Sequence, residues 1–131
     1  MTGHITETQT REKLIALLLE QGHQKDNIKL EHTIKIDYGF LGRNHFKIIA
    51  DLAVLDDEGN VKIIAEVKKQ QKHSEKHKQA TSNQVLNYQI KPALNFIKTA
   101  TLGIYYDGQK IIYLEKDQDG KILEPLTTLN Y

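Results

Sequence analysis

The beginning of the chain has the hydrophobic pattern of one amphipathic helix. Thr6-Glu7-Thr8-Gln9 matches a capping box, whose first and fourth side chains accept hydrogen bonds from free backbone N–H groups at a helix start. Apolar residues then recur at helical spacing from Leu14 to Leu19, and Gly22 is a typical helix stop. The pattern predicts a helix over about residues 7–21.

One acid in this helix, Glu12, precedes two apolar residues at helical spacing. It lies three and seven residues before Ile15 and Leu19. Side chains at these spacings share a helix face. Glu12 is therefore expected on or beside the buried face, or at its boundary with the carboxylate in solvent.

Apolar and polar residues then alternate from Ile28 to Asp37, which is the pattern of a half-buried strand. A loop is predicted from Tyr38 to Asn44. The side of the strand predicted to face the core carries Ile28, Leu30, His32, Ile34 and Ile36.

Two apolar segments follow, at about residues 46–55 and 61–68. Both are apolar on both faces, as central strands of a sheet are. Asp51, Glu66 and Lys68 interrupt them, although charged side chains are rarely buried without a partner or a metal. These three residues are therefore candidates for a functional site.

The turn between the two segments determines which residues face each other. If Glu58-Gly59 is a two-residue hairpin loop, paired residues have numbers that add to 117. Asp51 then lies directly opposite Glu66, with the two Cβ atoms about 5 Å apart, and Lys68 points to the same face. A three-residue loop would shift this register.

The next segment, residues 78–90, is predicted to be helical. Pro92 is expected to interrupt this helix and to begin a short one that ends near residue 98. The apolar face of the longer helix consists of Val85, Leu86 and Ile90.

The last third of the chain is predicted to be a hairpin. Asp107-Gly108 is a strong turn signal between strands at about 101–106 and 110–115. The tail from Lys121 adds an edge strand or stays loose. The element order is α-β-β-β-α-β-β, which fits a mixed sheet flanked by helices, an α/β (α+β) fold.

Composition narrows the class of protein. The 131 residues fit one domain, and 39% apolar residues suffice for one core. The absence of cysteine excludes disulfides and thiolate zinc sites. A polar N-terminus without an apolar run argues against a signal peptide, and no segment is apolar enough to span a membrane. A cytoplasmic protein without membrane partners is expected.

The net charge of +1 does not indicate nucleic-acid binding, but the distribution of charge is uneven. Residues 68–78 hold five lysines, among them Lys69 and Lys72, against one acid. Arg43 precedes the Asp51 strand. A local basic patch can hold a polyanion such as DNA. The alternative is an ordinary solvated surface.

The carboxylates of Asp51 and Glu66 suit hydrolysis of a phosphodiester. Magnesium takes oxygen ligands and keeps several waters, and the Val67 carbonyl adds a third oxygen. Bound metal lowers the pKa of its water and polarises the phosphoryl oxygen. Lys68 would orient that water or balance the anionic transition state. The structural alternative is a charged cross-strand pair at a strand end.

Four motifs together resemble the PD-(D/E)XK nuclease superfamily. They are Glu12 in the first helix, Ala50-Asp51-Leu52, Glu66-Val67-Lys68, and the segment from Gln84 to Tyr88. The chain most resembles the N-terminal nuclease domain of type I restriction enzyme R subunits and its small stand-alone relatives, from about Glu7 to Glu115. The superfamily is named after a proline that precedes the first catalytic aspartate, and in this chain Ala50 stands at that position before Asp51.

This resemblance implies a restriction-endonuclease-like fold and a role for each matching residue. Asp51 and Glu66 would hold Mg²⁺, with Mn²⁺ as a substitute, and an auxiliary acid, Glu12, would contact the metal or its water shell. Lys68 would act on the water. Gln84 and Tyr88 would line the site and touch the DNA, although a packed Tyr88 and a solvent-facing Gln84 explain the same spacing.

The main hypothesis is therefore a magnesium-dependent DNA endonuclease of the restriction-modification kind, with one active site per chain. No Walker motif occurs, so the translocating motor of R subunits is not part of this chain. Cutting both strands would need a homodimer, two binding events or partner subunits. The rival hypotheses are a catalytically silent DNA- or protein-binding module and a branched-DNA resolvase.

Overall fold

The computed structural model describes residues 6–69 and 75–129, with side-chain environments for 6–69 and 79–127. Its first helix, α1, spans Glu7–Glu20. Thr6 is its N-cap, and the capping box is formed because the Thr6 and Gln9 side chains accept each other's backbone N–H groups. The prediction of this helix is confirmed to within one residue. Thr10, Leu14 and Leu18 form its buried stripe.

Six strands form one sheet in the order β1-β2-β3-β4-β5-β6. Neighbours are antiparallel except β3 and β4, which are parallel and are joined by the helical segment between them. The strands are β1 Ile28–Tyr38, β2 Asn44–Leu55, β3 Val61–Val67, β4 Leu102–Tyr106, β5 Lys110–Glu115 and β6 Leu126–Leu129. The predicted mixed sheet is thus confirmed, and the tail supplies an edge strand.

The helical segment after β3 begins three residues earlier than predicted and continues past the break expected at Pro92, and the short helix predicted to begin at Pro92 is present. Helix α2 (Glu75–Val85) continues into a π-helical turn (Leu86–Ile90) and then α3 (Lys91–Phe96). The Lys91 N–H donates to the Leu86 carbonyl, five residues back. Pro92 is tolerated because it falls in the first turn of α3, where its missing N–H costs little.

The sheet separates two hydrophobic clusters. Helix α1 packs on one face through Leu14 and Leu18, whereas the π-turn and α3 pack on the other. Gly103 in β4 allows the second contact, because a Cβ there would lie 2.4 Å from the Ile90 Cγ2 atom. The predicted apolar face of the helical segment is confirmed, since Val85, Leu86 and Ile90 are buried.

Strand β1 does not keep one face toward the same core cluster along its whole length. The prediction that Ile28 to Ile36 share one face is therefore wrong. Ile28 packs with the α1 cluster, but Ile34 and Ile36 pack with the opposite cluster. Leu30 is 48% exposed. The switch occurs at Glu31, whose positive φ of 46° interrupts the pleat.

The β2–β3 turn differs from the predicted two-residue loop, yet the predicted register survives. Residues 57–59 form a three-residue loop closed by Asp56, whose Oδ1 accepts the Glu58 and Asn60 N–H groups. Gly59 adopts φ 88°, which favours glycine. Lys62 is then an extra residue in β3, because Leu55 pairs with Val61 but Val54 pairs with Ile63. This bulge restores the register that the longer loop would have shifted.

Candidate active site

Asp51 lies where β2 and β3 separate. Their ladder ends at the pair Leu52–Ala65. Beyond it the Val67 N–H donates to the Asp51 Oδ2 atom at 2.9 Å instead of to a backbone carbonyl. The Asp51 carboxylate thus takes the place of a backbone carbonyl as the hydrogen-bond acceptor between the two strands. This bond turns the Asp51 side chain toward β3 and leaves its second oxygen for another ligand.

The face switch seen in β1 helps to place Asp51. Leu30 pairs with Leu52 and His32 pairs with Ala50, so Asp51 lies opposite the irregular residue Glu31. Ala50 and Leu52 belong to opposite hydrophobic clusters. Regular alternation would have put them on one face, so the irregularity around Asp51 is what frees its side chain from either core.

Glu66 meets Asp51 across this fork. Burial is the largest cause that raises the Glu66 pKa, from 4.5 to about 9, followed by a hydrogen bond to Asp51 and repulsion from its charge. The register that pairs Leu52 with Ala65 places the next residues outward, Asp51 and Glu66, next to each other. The predicted proximity of Asp51 and Glu66 is therefore what the structure has.

Lys68 completes the predicted trio. Its backbone N–H donates to the Tyr106 carbonyl at 2.9 Å, which extends the parallel pairing of β3 and β4 past Val67. Its side chain is half-buried, and its positive charge opposes the rise of the Glu66 pKa. Two carboxyl groups and one ammonium group thus act on one another at the fork.

Of the acids in α1, Glu7 rather than Glu12 has an electrostatic effect on this cluster, although Glu7 is exposed and its effect is the smallest of the causes that shift the Glu66 pKa. The negative charge of Glu7 contributes to the raised pKa of Glu66. Glu12 is exposed, beside Gln9 and Lys13 in a shallow depression on the outer side of the helix. The placement of Glu12 on or beside the buried face is wrong.

A sequence signal for Glu7 does exist. Glu7 lies three, seven and eleven residues before Thr10, Leu14 and Leu18, which are the buried stripe of α1. Glu12 was chosen from the spacing to Ile15 and Leu19, and Leu19 proves to be 41% exposed. The buried stripe is therefore rotated relative to the one predicted, because several leucines in a row allow more than one stripe.

Gln84 and Tyr88 both point outward. Gln84 is exposed at the end of α2, and Tyr88 is 77% exposed in the π-turn. Within the described residues no hydrogen bond links either side chain to Asp51 or Glu66. Tyr88 does not pack in the core, contrary to the structural alternative, whereas Gln84 faces solvent as that alternative expected. Both side chains are accessible to a ligand.

The predicted basic contacts are spread over the surface. Arg43 is exposed just before β2, and Lys69 is exposed directly after Lys68. Lys72 lies outside the described residues, so the structure places only two of the three. Lys69 is near the carboxyl groups through chain connectivity, and Arg43 is eight residues from Asp51 along β2.

The donor set fits a hard cation with few protein ligands. Among the described residues, no group of three or more His, Cys, Asp or Glu side chains is arranged to hold a metal ion. Two carboxyl groups and the Val67 carbonyl remain, and magnesium is usually bound by one or two carboxylates plus waters. A raised Glu66 pKa means that a cation would have to displace a proton.

Comparison with protein families identifies the class of this fold. Residues 6–129 match the family "Type I restriction enzyme R protein N terminus (HSDR_N)". The chain belongs to this family, and membership indicates a nuclease-related role. No curated protein matches the chain. Of the helices that the structure describes, none is long and apolar enough to cross a membrane.

Proposed function

We propose that the chain is a metal-dependent DNA endonuclease module of the type I restriction enzyme R kind, with one active site per chain. The observation that supports this most is the pairing of the Asp51 and Glu66 carboxyl groups at the fork of β2 and β3, beside Lys68. A partly buried pair of acids is costly in a fold that has no use for it. A cation and a phosphate would offset that cost.

In this mechanism Asp51, Glu66 and the Val67 carbonyl would hold Mg²⁺ or Mn²⁺, which would supply an activated water and polarise the phosphate. Asp51 keeps its orientation through the Val67 N–H. Lys68 orients the water and offsets negative charge as it develops on the phosphate. Glu7 holds the outer water shell, the role that the resemblance had implied for Glu12.

DNA reaches this cluster across an accessible surface. Gln84, Tyr88 and Lys69 are exposed and are proposed to contact the strand near the scissile phosphate. One cluster per chain cuts one strand. A double-strand break therefore requires two copies of the chain, two binding events, or partner subunits of a larger restriction complex.

A nicking assay tests the proposal. Supercoiled plasmid should be nicked by the wild-type chain with Mg²⁺ or Mn²⁺ and not with EDTA. Asp51→Asn and Lys68→Ala should each abolish nicking, whereas the distant exposed pair Asp119→Asn and Lys98→Ala should not change it. Circular dichroism confirms folding of every variant.

Two outcomes would overturn the proposal. If nicking survived both Asp51→Asn and Lys68→Ala, the assignment of the active site to these residues would be wrong. A pure wild-type chain that binds DNA but never nicks it with either metal would identify a silent binding module instead. Comparing a four-way junction with linear duplex as substrates separates a resolvase from a general endonuclease.

A further inference from the structure

Strands β1 and β2 extend well past the rest of the sheet. They pair with each other along their whole length, but β3 pairs with β2 only from Leu52 to Leu55. Residues 33–49, called the ribbon below, therefore project beyond the carboxyl pair. From Asp51 to Asn44 is seven residues, or about 24 Å at the usual rise of a strand.

One face of the ribbon is anchored to the body of the protein. Its inward side chains pack against the π-turn and α3 cluster, and the Phe46 and Phe96 rings meet edge to face with centroids 4.9 Å apart. The inward residues are Ile34, Ile36, Phe46 and Ile48. The ribbon is thus held rigidly at a set position relative to Asp51.

The outward face has no packing partner among the described residues. All of its side chains are exposed, and Ile49 is 63% exposed. Lys35 and Lys47 lie directly opposite each other on this face, so their Cβ atoms are about 5 Å apart. Asp37 makes a long 3.9 Å ion pair with Lys35 in which both side chains are 60% exposed, which offsets little of the repulsion.

Two like charges directly opposite on a strand pair destabilise it. A bound phosphate between them would remove that repulsion. Lys47 is four residues before Asp51, about 13 Å along the strand. Phosphates repeat about every 3.4 Å of axis along one DNA strand. A phosphate held by the lysines would therefore lie a few nucleotides from a phosphate held at the carboxyl pair.

The tip of the ribbon is apolar and exposed. Phe40 and Leu41 are 80% and 75% exposed. Leu41 has φ 58°, an uncommon conformation for a branched side chain. Arg43 is exposed immediately after them. Exposed Phe and Leu beside cationic groups are the side chains that proteins insert against unstacked bases.

We propose that the ribbon is a DNA-binding arm, in which Lys35 and Lys47 hold a backbone phosphate of the duplex and Phe40 and Leu41 pack against its bases. This inference rests on the proposed function, since it names the surface that holds DNA beside the cutting site. The arm positions the duplex, and the carboxyl pair cuts it.

The lysine pair is tested by binding rather than by cleavage. Anisotropy of a fluorescein-labelled duplex is measured with the full chain in EDTA between about 50 and 200 mM salt. Lys35→Gln with Lys47→Gln should weaken binding about tenfold at the lower salt, and should reduce the slope of log affinity against log salt by about two. The matched control, Lys25→Gln with Lys121→Gln, removes two exposed lysines that lie outside the ribbon and should change neither quantity.

The tip is tested by a change that carries no charge. Phe40→Ala with Leu41→Asn removes the apolar surface, and Asn tolerates the positive φ of residue 41. Affinity for the duplex should fall while the salt slope stays unchanged, because apolar contacts release no counterions. A 2-aminopurine base in the duplex should brighten when the wild-type chain binds, and not with the tip variant.

The outcomes separate this inference from the proposed function. If the wild-type chain nicks plasmid but the lysine variant binds with unchanged affinity and slope, the arm is overturned and the nuclease stands. If the tip variant instead converts an oligomer to a monomer in light scattering, with DNA binding unchanged, the ribbon is a protein interface. A wild-type chain that neither binds nor nicks DNA overturns both.

Discussion

Glu66 is the residue whose environment departs most from that of a free side chain. Its carboxyl group shares a partly buried fork with Asp51, and its pKa rises to about 9. The folded chain therefore keeps a proton on Glu66 that the unfolded chain releases above about pH 4.5. Between these two values the free energy of unfolding falls as pH rises, because the folded state binds more protons.

Replacing Glu66 with Gln should remove this pH dependence. Glutamine keeps the shape of the protonated acid and cannot ionise, so Glu66→Gln should raise the free energy of unfolding by about 1–3 kcal/mol at pH 8 and change it little at pH 5. Urea unfolding at several pH values measures the difference. Glu115→Gln, an exposed acid, is the control, and a Glu66→Gln curve that parallels wild type would contradict the assignment.

The two acids of α1 offer a second comparison at the residue scale. Glu7 acts on Glu66, whereas Glu12 lies on the outer side of the helix. Glu7→Gln should slow nicking by about tenfold or more, as loss of an outer-shell ligand does. Glu12→Gln should nick at the wild-type rate in the same assay. If Glu12→Gln slowed nicking and Glu7→Gln did not, Glu12 would be the auxiliary acid of the site.

At the scale of the element, the close contact of β4 with the helical segment depends on one glycine. Gly103→Ala would put a methyl group 2.4 Å from the Ile90 Cγ2 atom and 3.2 Å from a Leu94 methyl group. Overpacking of this kind costs about 1–3 kcal/mol. Thermal unfolding should show the loss.

A double-mutant cycle identifies its cause. Ile90→Ala alone should destabilise by about 2–5 kcal/mol through the cavity it leaves. Combined with Gly103→Ala, the new methyl group occupies part of that cavity, so the double variant should lose less than the sum of the two single changes. Strict additivity would indicate that Gly103 is required for another reason.

The elements also show which structural features local sequence patterns predict correctly and which they do not. The capping box, the Asp107-Gly108 turn and the apolar face of residues 85–90 appear where predicted, because each depends on neighbours in the chain. The break at Pro92 and the two-residue loop at Glu58-Gly59 do not. There, a π-turn and a bulge at Lys62 were selected by packing across the sheet, which no local window contains.

At the scale of the whole molecule, metal binding should be coupled to folding. A cation at the carboxyl pair stabilises the folded state by mass action. Mg²⁺ at about ten times its dissociation constant should raise the melting temperature by about 3–6 °C. Asp51→Asn should show no such rise, and Asp119→Asn should show the full one.

The same coupling predicts how the metal effect changes with pH. Because the cation must displace the proton of Glu66, its affinity should increase from pH 6 to pH 9. The Mg²⁺-induced rise in melting temperature should therefore be larger at pH 8.5 than at pH 6. An equal rise at both values would show that the metal does not replace that proton.

The sequence by itself determined the order of the main elements and the resemblance to the type I restriction enzyme R N-terminal domain, which the family match confirms. Those follow from alternation, turn chemistry and residue spacing, which act over a few residues. The tertiary structure alone decided the face switch at Glu31, the bulge at Lys62 that keeps Asp51 beside Glu66, the bond from the Val67 N–H to Asp51, and the packing of the ribbon on the α3 side. Each of these depends on which surfaces meet after folding, so contacts between distant segments determine them.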